Sequence, residues 1–230
     1  MNRTGVEWAD RGWNLWTGCK RLCDFDGDGK CDCYAFRDAH RFHRSFEPTI
    51  HLERLDDPDF ERLPAKTKIF VNDTAETFGP WISEEWHDHL FNKIFDEKYR
   101  RLIFILVTKY PENLVPVLSN YDYDASNIWI GTTVTRASEI TRIGYLRHVN
   151  AAIHLTSIEP MLEPITLAGY QTALEWVIVG QLTGSKRCPV SPVWIFSLLQ
   201  ETRAFKIPLF IKNNVGWPEK IQEFPGVELN

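Results

Sequence analysis

Six short runs of apolar residues, rich in β-branched and aromatic types, recur along the chain and constrain its fold more than any other feature. Each run is nearly continuous in apolar residues instead of alternating between apolar and polar ones. Continuous runs are typical of strands buried on both faces, as in a parallel sheet covered by helices. The predicted strands are Lys68–Asn72, Leu102–Thr108, Ile128–Thr133, Ala152–Ser157, Trp176–Gly180 and Ile207–Lys212.

Segments with helical character separate these runs. Ser83 is a suitable N-cap for a helix over Ser83–Lys98, because two acidic residues follow it in the first turn. The other predicted helices are Pro111–Leu118, Ala137–Arg147 and Ser191–Phe205, and a further strand is expected near Glu7–Trp16. The alternation predicts an α/β fold, either a full or partial TIM-type (β/α) barrel or, as the alternative, an open doubly wound sheet.

The length of 230 residues suits a single barrel domain. Within it, we expect residues 1–45 to form a cysteine loop and a first helix, and residues 66–215 to form the βα repeats. The formal net charge of −5 provides no overall basic field for nucleic acid. No apolar run reaches the length of a membrane span, and the N-terminal segment lacks the apolar core of a signal peptide. We therefore expect a cytoplasmic protein with no membrane partner.

Four of the five cysteines lie between Cys19 and Cys33, and the fifth, Cys188, is isolated. Because cytosolic thiols are kept reduced, such a group indicates a metal site rather than disulfides. A 4Fe-4S cluster held by only three thiolates keeps one iron open for a small molecule. A structural zinc ion instead uses all four thiolates in a closed tetrahedron. The number of cysteines alone leaves both kinds of site open.

Every predicted strand closes on polar residues, and some of them are charged. In α/β barrels and open α/β sheets, function lies at the carboxyl ends of the strands. We therefore expect the functional site among these side chains. They are Asn72, Asp73, Thr108, Lys109, Thr132, Thr133, Ser157, Glu159, Gln181, Lys212, Asn213 and Asn214.

Several motifs follow one another over nearly the whole chain. They are EW and WNxxxGC within Glu7–Cys19, CYAxxxAxR at Cys33–Arg41, VN at Val71–Asn72, LVTKYPE at Leu106–Glu112, WIGTTV at Trp129–Val134, SIEPML at Ser157–Leu162, WVIVG at Trp176–Gly180 and PLFIKN at Pro208–Asn213. With these motifs the chain resembles the phage-associated three-Cys-motif family of unknown function, which belongs to the radical S-adenosylmethionine (radical SAM) superfamily.

The resemblance implies a radical-SAM-like barrel, a 4Fe-4S cluster with one open iron, and S-adenosyl-L-methionine that is cleaved to a 5′-deoxyadenosyl radical. It also implies that Cys19 is the first cluster ligand and Cys33 the last. Cys23 is favoured as the middle ligand, because CxxxC leaves the first two ligands on one compact turn. Cys31 is its rival, and zinc bound by all four cysteines is the alternative.

For an enzyme of this type, several residues of this sequence are candidates for binding the S-adenosylmethionine, and no catalytic residue is identified. Tyr34 follows the last cysteine and is expected to pack against this cofactor. The candidates for its methionine end are Asn72, Asp73 and Glu76, and those for its ribose and adenine are Thr132, Thr133 and Glu159.

The substrate is not specified by any motif. The phage setting of the family favours modification of a nucleotide or a nucleic acid, and radical chemistry requires an electron donor as a partner. The alternative function is that of a zinc-stabilised or cluster-carrying barrel that binds a partner protein or nucleic acid.

Two groups of residues beside the cysteines have both a structural and a functional interpretation. The basic residues Arg37, His40, Arg41 and Arg44 share roughly one face of a predicted helix. They form either a solvated face or a contact for phosphate. Trp8, Trp13 and Trp16 either pack against the barrel or stack on bases.

The insertion Asp24–Asp32 resembles an EF-hand calcium loop in part. Asp24, Asp26, Asp28 and Asp32 match ligand positions 1, 3, 5 and 9 of such a loop. Position 12, which normally supplies a bidentate glutamate, is Ala35. We therefore expect an acidic surface turn with little affinity for calcium.

Overall fold

A sheet of eight strands dominates the computed structural model, which describes residues 1–21, 23–183 and 188–226. The strands in chain order are β1 (Asn2–Arg3), β2 (Arg11–Trp13), β3 (Trp16–Thr17), β4 (Thr49–Ile50), β5 (Lys68–Val71), β6 (Ile103–Thr108), β7 (Ile128–Thr133), β8 (Ile153–Ile158), β9 (Trp176–Val179) and β10 (Leu209–Ile211). The short strands β3 and β4 pair with each other as a separate antiparallel ribbon.

Helices connect the strands of the large sheet. They are α1 (Tyr34–Arg41), α2 (Asp59–Arg62), α3 (Glu84–Ile94), α4 (Leu114–Leu118) and α5 (Pro192–Ala204). Segments of 3₁₀-helix occur at Leu52–Asp56, Glu97–Tyr99, Pro111–Asn113, Ala137–His148, Gln171–Ala173 and Asn213–Val215. In the described part of the chain, no helix combines the length and apolar character needed to cross a membrane.

The order of the strands distinguishes between the two folds that the sequence allows. The sheet runs β1-β2-β5-β6-β7-β8-β9-β10, so apart from the separate ribbon each new strand is added beside the previous one. All pairs from β2 to β10 are parallel, and only β1 is antiparallel to its neighbour. A doubly wound sheet would reverse its order at a switch point. The structure therefore confirms the TIM-type barrel in its partial form, and the doubly wound alternative is wrong.

The six predicted strands are present, with ends that differ by at most two residues, and the strand expected near Glu7–Trp16 is the shorter β2 (Arg11–Trp13). Ser83 caps α3 as expected, because its hydroxyl accepts a hydrogen bond from the Trp86 backbone N–H at 3.4 Å.

The segment Ala137–His148 is helical, but it forms a 3₁₀-helix. Its threonine, two isoleucines and glycine have lower α-helix propensity than alanine or leucine, which is consistent with this departure.

The two faces of the sheet bury different apolar groups, because successive residues of a strand point to opposite sides. One face packs against the helices and includes Phe104, Ile130 and Val177. The opposite face forms a second core that contains Trp8, Ile103, Ile105, Trp129, Ile153, Leu155, Trp176, Ile178 and Phe210. This inner core fills the part of the half-barrel that lies toward the amino ends of the strands.

Candidate functional site

A cavity of about 560 Å³ opens at the carboxyl ends of the parallel strands. Its position follows from the two-residue period of the inner face. Along β6 this face runs from the core residues Ile103 and Ile105 to Val107 and then Lys109, which both line the cavity. The neighbouring strands contribute Phe70, Thr133, Ser157, Glu159 and Lys212 in the same way. An apolar floor with polar walls is the usual character of a small-molecule site, and this volume lies in the usual range of about 300–1,000 Å³.

The cysteine loop lies beside this cavity. The Asp32 backbone N–H donates to the Cys23 carbonyl oxygen at 2.7 Å, so the acidic insertion folds back on itself. Gly18 precedes the first cysteine with a φ of 86°, and a Cβ atom there would lie 2.4 Å from the Glu47 carbonyl oxygen. Glycine is therefore required at this position. Of the four cysteines, Cys23 and Cys33 line the cavity.

The thiols are close enough to change one another's protonation. A hydrogen bond with the Cys33 thiol lowers the pKa of Cys23 to about 7, and the positive charges of Lys109 and Arg21 contribute to this shift. The pKa of Cys33 is raised by the same hydrogen bond, and the pKa of Cys31 is raised by a hydrogen bond with Cys33. Burial raises the pKa of Cys19 to about 11.

The four thiols of the cysteine loop are suitable ligands for a metal site. Thiolate is the usual protein ligand of both iron–sulfur clusters and structural zinc. The Cys33 thiol is hydrogen-bonded to the thiols of Cys23 and Cys31, and the charge of Cys19 acts on Cys23. Between the two candidates for the middle ligand, Cys23 lies in the cavity wall, whereas Cys31 does not line the cavity.

Asn72 is a cavity residue whose polar atoms are already engaged. Its Oδ1 accepts from the Leu15 backbone N–H at 2.9 Å, and its Nδ2 donates to the Thr77 hydroxyl at 3.2 Å. Its φ of 53° lies in the left-handed region, which asparagine adopts more readily than most residues. Asn72 thereby fixes the turn that follows β5.

Glu76 occupies a similar position between two loops. Its carboxylate accepts from the backbone N–H groups of Phe78 at 3.1 Å and Lys109 at 3.0 Å, and from the Thr108 hydroxyl. The side chain is buried, so these hydrogen bonds compensate its desolvation. Glu76 therefore joins the ends of β5 and β6 at the cavity.

Tyr34 and Asp73 meet at the cavity mouth, where the tyrosine hydroxyl donates to the Asp73 carbonyl oxygen. This bond joins the first turn of α1 to the loop after β5. Burial raises the pKa of the Asp73 carboxyl group, although hydrogen bonds from Asn14 and Thr74 oppose the shift. The Asp73 side chain is thus a partly buried acid in the cavity wall.

The two adjacent threonines of β7 differ in position. Thr133 lines the cavity, whereas Thr132 is fully buried and its hydroxyl donates to the Thr108 carbonyl oxygen at 3.0 Å. Because neighbouring strand residues face opposite sides, only one of the pair can reach the cavity. The structure therefore separates Thr132 from the other cofactor candidates.

Glu159 and Lys212 form an ion pair in the cavity wall. The pair lies beside Gly180, where a Cβ atom would be 3.0 Å from carbons of both side chains. The absence of a side chain at this residue makes room for the pair. Both charged residues are recognisable in the sequence as strand-end residues, but no local pattern indicates that they bind each other across 53 residues.

The N-terminal segment contributes cavity residues that sequence analysis does not anticipate. Arg3, Thr4, Gly5 and Val6 line the cavity, and Trp8 lies beneath them in the inner core. Trp13 and Trp16 are buried in the core on the helix side, which confirms the packing interpretation for these two, whereas Trp8 packs in the inner core and also lines the cavity. The antiparallel pairing of β1 with β2 brings this segment to the cavity, and no local pattern predicts it.

The acidic turn lies outside the cavity apart from its ends. Oxygen atoms of Asp24, Asp26 and Asp28 lie within 4.8 Å of one another. Asp24 accepts hydrogen bonds from the backbone N–H groups of Gly27 at 2.7 Å and Gly29 at 2.8 Å. These bonds shape a surface turn, and the prediction of little affinity for calcium stays untested.

Comparison with known proteins gives a family and a fold. The family model described as "Protein of unknown function (DUF5131)" matches residues 3–225. No curated protein matches the sequence. The family description assigns no activity, so any function must be argued from the site.

Two solved structures resemble the chain, and both are of spore photoproduct lyase. One, a variant with bound AdoMet and dinucleoside spore photoproduct, has 14% sequence identity and a TM-score of 0.51, and the match covers 88% of this chain and 63% of that one. The other, complexed with dinucleoside spore photoproduct, has 15% identity and a TM-score of 0.47 over 72% of this chain and 54% of that one. This chain therefore spans less than two thirds of either protein. The first similarity agrees with the partial barrel fold of this chain.

Proposed function

The chain belongs to the DUF5131 family of unknown function, and we propose that it is a radical SAM enzyme. Its cluster ligands are Cys19, Cys23 and Cys33, and its S-adenosylmethionine binds in the adjoining cavity. The phage setting implied by its sequence motifs forms part of this proposal. When bound and reduced, a 4Fe-4S cluster supplies the electron that cleaves S-adenosylmethionine and yields a 5′-deoxyadenosyl radical.

One observation carries this proposal: two cysteines of the loop and the polar ends of the parallel strands line the same cavity. Cys23 and Cys33 share its wall with Asp73, Glu159 and other strand-end residues. A zinc ion that only stabilises a loop does not require such a cavity. A cofactor that must contact both a metal and a protein pocket does require one.

In this proposal, some cavity residues contact the S-adenosylmethionine and others hold the loops around it in place. The polar ends of the cofactor are held by Asp73, Thr133 and Glu159, while Tyr34 packs on the side of the cysteine loop. Asn72 and Glu76 act indirectly, because their polar atoms hold the loops after β5 and β6 in place. The apolar inner core below the cavity excludes water from the reacting groups.

The substrate in this proposal is a nucleotide or a nucleic acid. The structurally similar protein is a lyase with a bound dinucleoside photoproduct, and its fold matches most of this chain. Arg37 lines the cavity together with the cofactor candidates, and in this proposal its guanidinium group contacts a phosphate of the substrate. An external electron donor is the further partner that this chemistry requires.

The alternative is a zinc-stabilised barrel that binds a partner. It is favoured by the hydrogen-bonded contact of a fourth thiol, that of Cys31, with Cys33. Four thiolates around one ion would satisfy structural zinc completely.

Metal analysis tests the two candidates against each other. Protein purified without oxygen should contain about four irons and four sulfides per chain, as a 4Fe-4S site requires. Its absorption spectrum should change when S-adenosylmethionine is added to the reduced protein, and 5′-deoxyadenosine should appear. Stoichiometric zinc without sulfide would contradict the proposal and support the alternative.

A further inference from the structure

A basic and aromatic surface lies at the C-terminal end of α1, outside the cavity. It consists of Arg41, Phe42 and Arg44, and we call it the Arg–Phe surface. All three residues are exposed, and Phe42 has 58% of its surface accessible. The guanidinium carbons of Arg41 and Arg44 lie 5.6 and 5.4 Å from the centre of the Phe42 ring. Two cations and one ring therefore form a single unit.

The backbone holds this unit in a defined turn. The His43 N–H donates to the His40 carbonyl oxygen at 3.1 Å, and the Arg44 N–H donates to the Ala39 carbonyl oxygen at 2.8 Å. His43 has a φ of 51°, in the left-handed region. These features define a Schellman C-cap, which reverses the chain after a helix. The reversal brings Arg44 back beside the ring of Phe42.

The charges of this surface are available to an external anion. In the described part of the chain, the arginines that form ion pairs are Arg54, Arg100, Arg136, Arg142 and Arg203. Neither Arg41 nor Arg44 is among them. Because the whole chain carries a net charge of −5, this local excess of positive charge contrasts with the protein as a whole.

We propose that the Arg–Phe surface binds a single-stranded nucleic acid, which is the substrate of the proposed radical SAM site; the assignment as a substrate rests on that proposed function. Guanidinium groups bind phosphate through paired hydrogen bonds. An exposed aromatic ring adds a surface on which an unpaired base stacks. A duplex keeps its base faces inside the helical stack, so a single strand uses both parts of this surface.

The same helix connects the Arg–Phe surface to the cavity. Tyr34, Arg37 and Asp38 of α1 line the cavity. Arg37 precedes Arg41 by four residues, which corresponds to about 6 Å along a helix axis. That distance is about two nucleotides of a stacked strand. A strand held on Arg41, Phe42 and Arg44 therefore has a neighbouring nucleotide at the cavity mouth.

Fluorescence anisotropy of a labelled single-stranded DNA of twelve nucleotides tests the proposal, using the full chain with its metal site loaded without oxygen. The double variant Arg41→Gln/Arg44→Gln should weaken binding at least about 10-fold and reduce the slope of log affinity against log salt by about 1.4, since each contact on a single strand contributes about 0.7. Phe42→Leu should weaken binding without changing this slope.

The control variant Arg62→Gln/Lys220→Gln removes the same charge from two exposed residues that do not line the cavity. It should leave binding almost unchanged. An equal loss in this control would overturn the proposal, because binding would then depend on total charge alone. Tighter binding of the duplex than of the single strand would also overturn it, as would absence of binding by the unaltered protein at low salt.

Two further measurements distinguish nucleic-acid binding from membrane binding, and a failure of this proposal from a failure of the proposed radical SAM function. Vesicles of phosphatidylcholine with phosphatidylserine should not compete with the strand, and competition that depends on Arg41 and Arg44 would assign the surface to membranes instead. Metal content and S-adenosylmethionine binding are measured on the same samples. Strand binding without an iron–sulfur cluster would contradict the proposed function alone, whereas a full cluster without strand binding would contradict the surface alone.

Discussion

The Glu159 carboxylate and the Lys212 ammonium group form an ion pair in the cavity wall, beside a glycine whose missing side chain leaves room for both. Glu159 follows β8 and Lys212 follows β10, so the pair bridges two strands that are separated by β9. Both side chains are mostly buried, with 26% and 13% of their surface exposed. The pair therefore places a carboxylate and an ammonium group side by side in one wall of the cavity.

Glu159→Gln should weaken S-adenosylmethionine binding while leaving the metal content intact. A hydrogen bond to a charged group is worth about 1.5–3 kcal/mol, so the dissociation constant should rise roughly 10- to 100-fold. Calorimetric titration of the loaded protein measures this change. Lys212→Gln is the matched control, because it removes the ion pair and leaves the carboxylate. If the two variants bind S-adenosylmethionine equally poorly, the pair has a structural role and Glu159 is not a cofactor contact.

Replacing single cysteines by alanine should divide them into two groups. Cys19→Ala, Cys23→Ala and Cys33→Ala should abolish the cluster, since each removes one of three thiolate ligands. Cys31→Ala and Cys188→Ala should retain iron and sulfide, because Cys31 does not line the cavity and Cys188 is distant in sequence. Iron and sulfide analysis of the five variants is the measurement. Loss of the cluster in Cys31→Ala as well would favour a closed site with four cysteines.

Lys109→Gln should lower the reduction potential of the cluster. The Lys109 side chain lines the cavity, and its positive charge acts on the thiols of Cys19 and Cys23. Reduction adds negative charge to the cluster, and a nearby cation stabilises that state. A redox titration followed by electron paramagnetic resonance measures the potential. Lys109→Arg keeps the charge and should retain most of the potential, so an equal decrease in both variants would contradict an electrostatic role.

The ion pair of His154 and Glu175 should make stability depend on pH. Burial lowers the pKa of His154, but hydrogen bonds with Glu175 and with the Val149 carbonyl oxygen outweigh it, so the pKa is raised overall. A raised histidine pKa stabilises the fold fully below the unfolded value of about 6.5, and this contribution is lost as the pH rises through the folded value.

His154→Gln should therefore lower the free energy of unfolding more at pH 6 than at pH 8.5, with a difference of about 0.2–1 kcal/mol for a partly exposed pair. Urea unfolding at the two pH values measures it. In Glu175→Gln the extra cost at pH 6 should also appear, because the same pair is broken. A larger cost at pH 8.5 would show that the sign of the pKa shift is wrong.

Local sequence patterns predict the strands and most helices of this protein. A strand buried on both faces needs a continuous apolar run. A run such as Leu102–Thr108 can therefore be recognised as a strand from the sequence alone. The same reasoning places polar side chains at the carboxyl ends of the strands, where the cavity lies. A local pattern does not distinguish two neighbouring residues that are chemically alike. Thr132 and Thr133 are both strand-end threonines, and only the strand's register decides which of them faces the cavity.

The sequence by itself determined the βα repeat, the grouping of four thiols and the polar side chains at the carboxyl ends of the strands. Each of these features depends on residues that are close along the chain. Only the tertiary structure decided that the sheet stays a partial barrel, that Cys23 rather than Cys31 faces the cavity, and that Asn72 and Glu76 use their polar atoms to hold loops. It also paired Glu159 with Lys212 across 53 residues. These features depend on contacts between distant segments, and such contacts form only when the burial of the whole sheet brings the segments together.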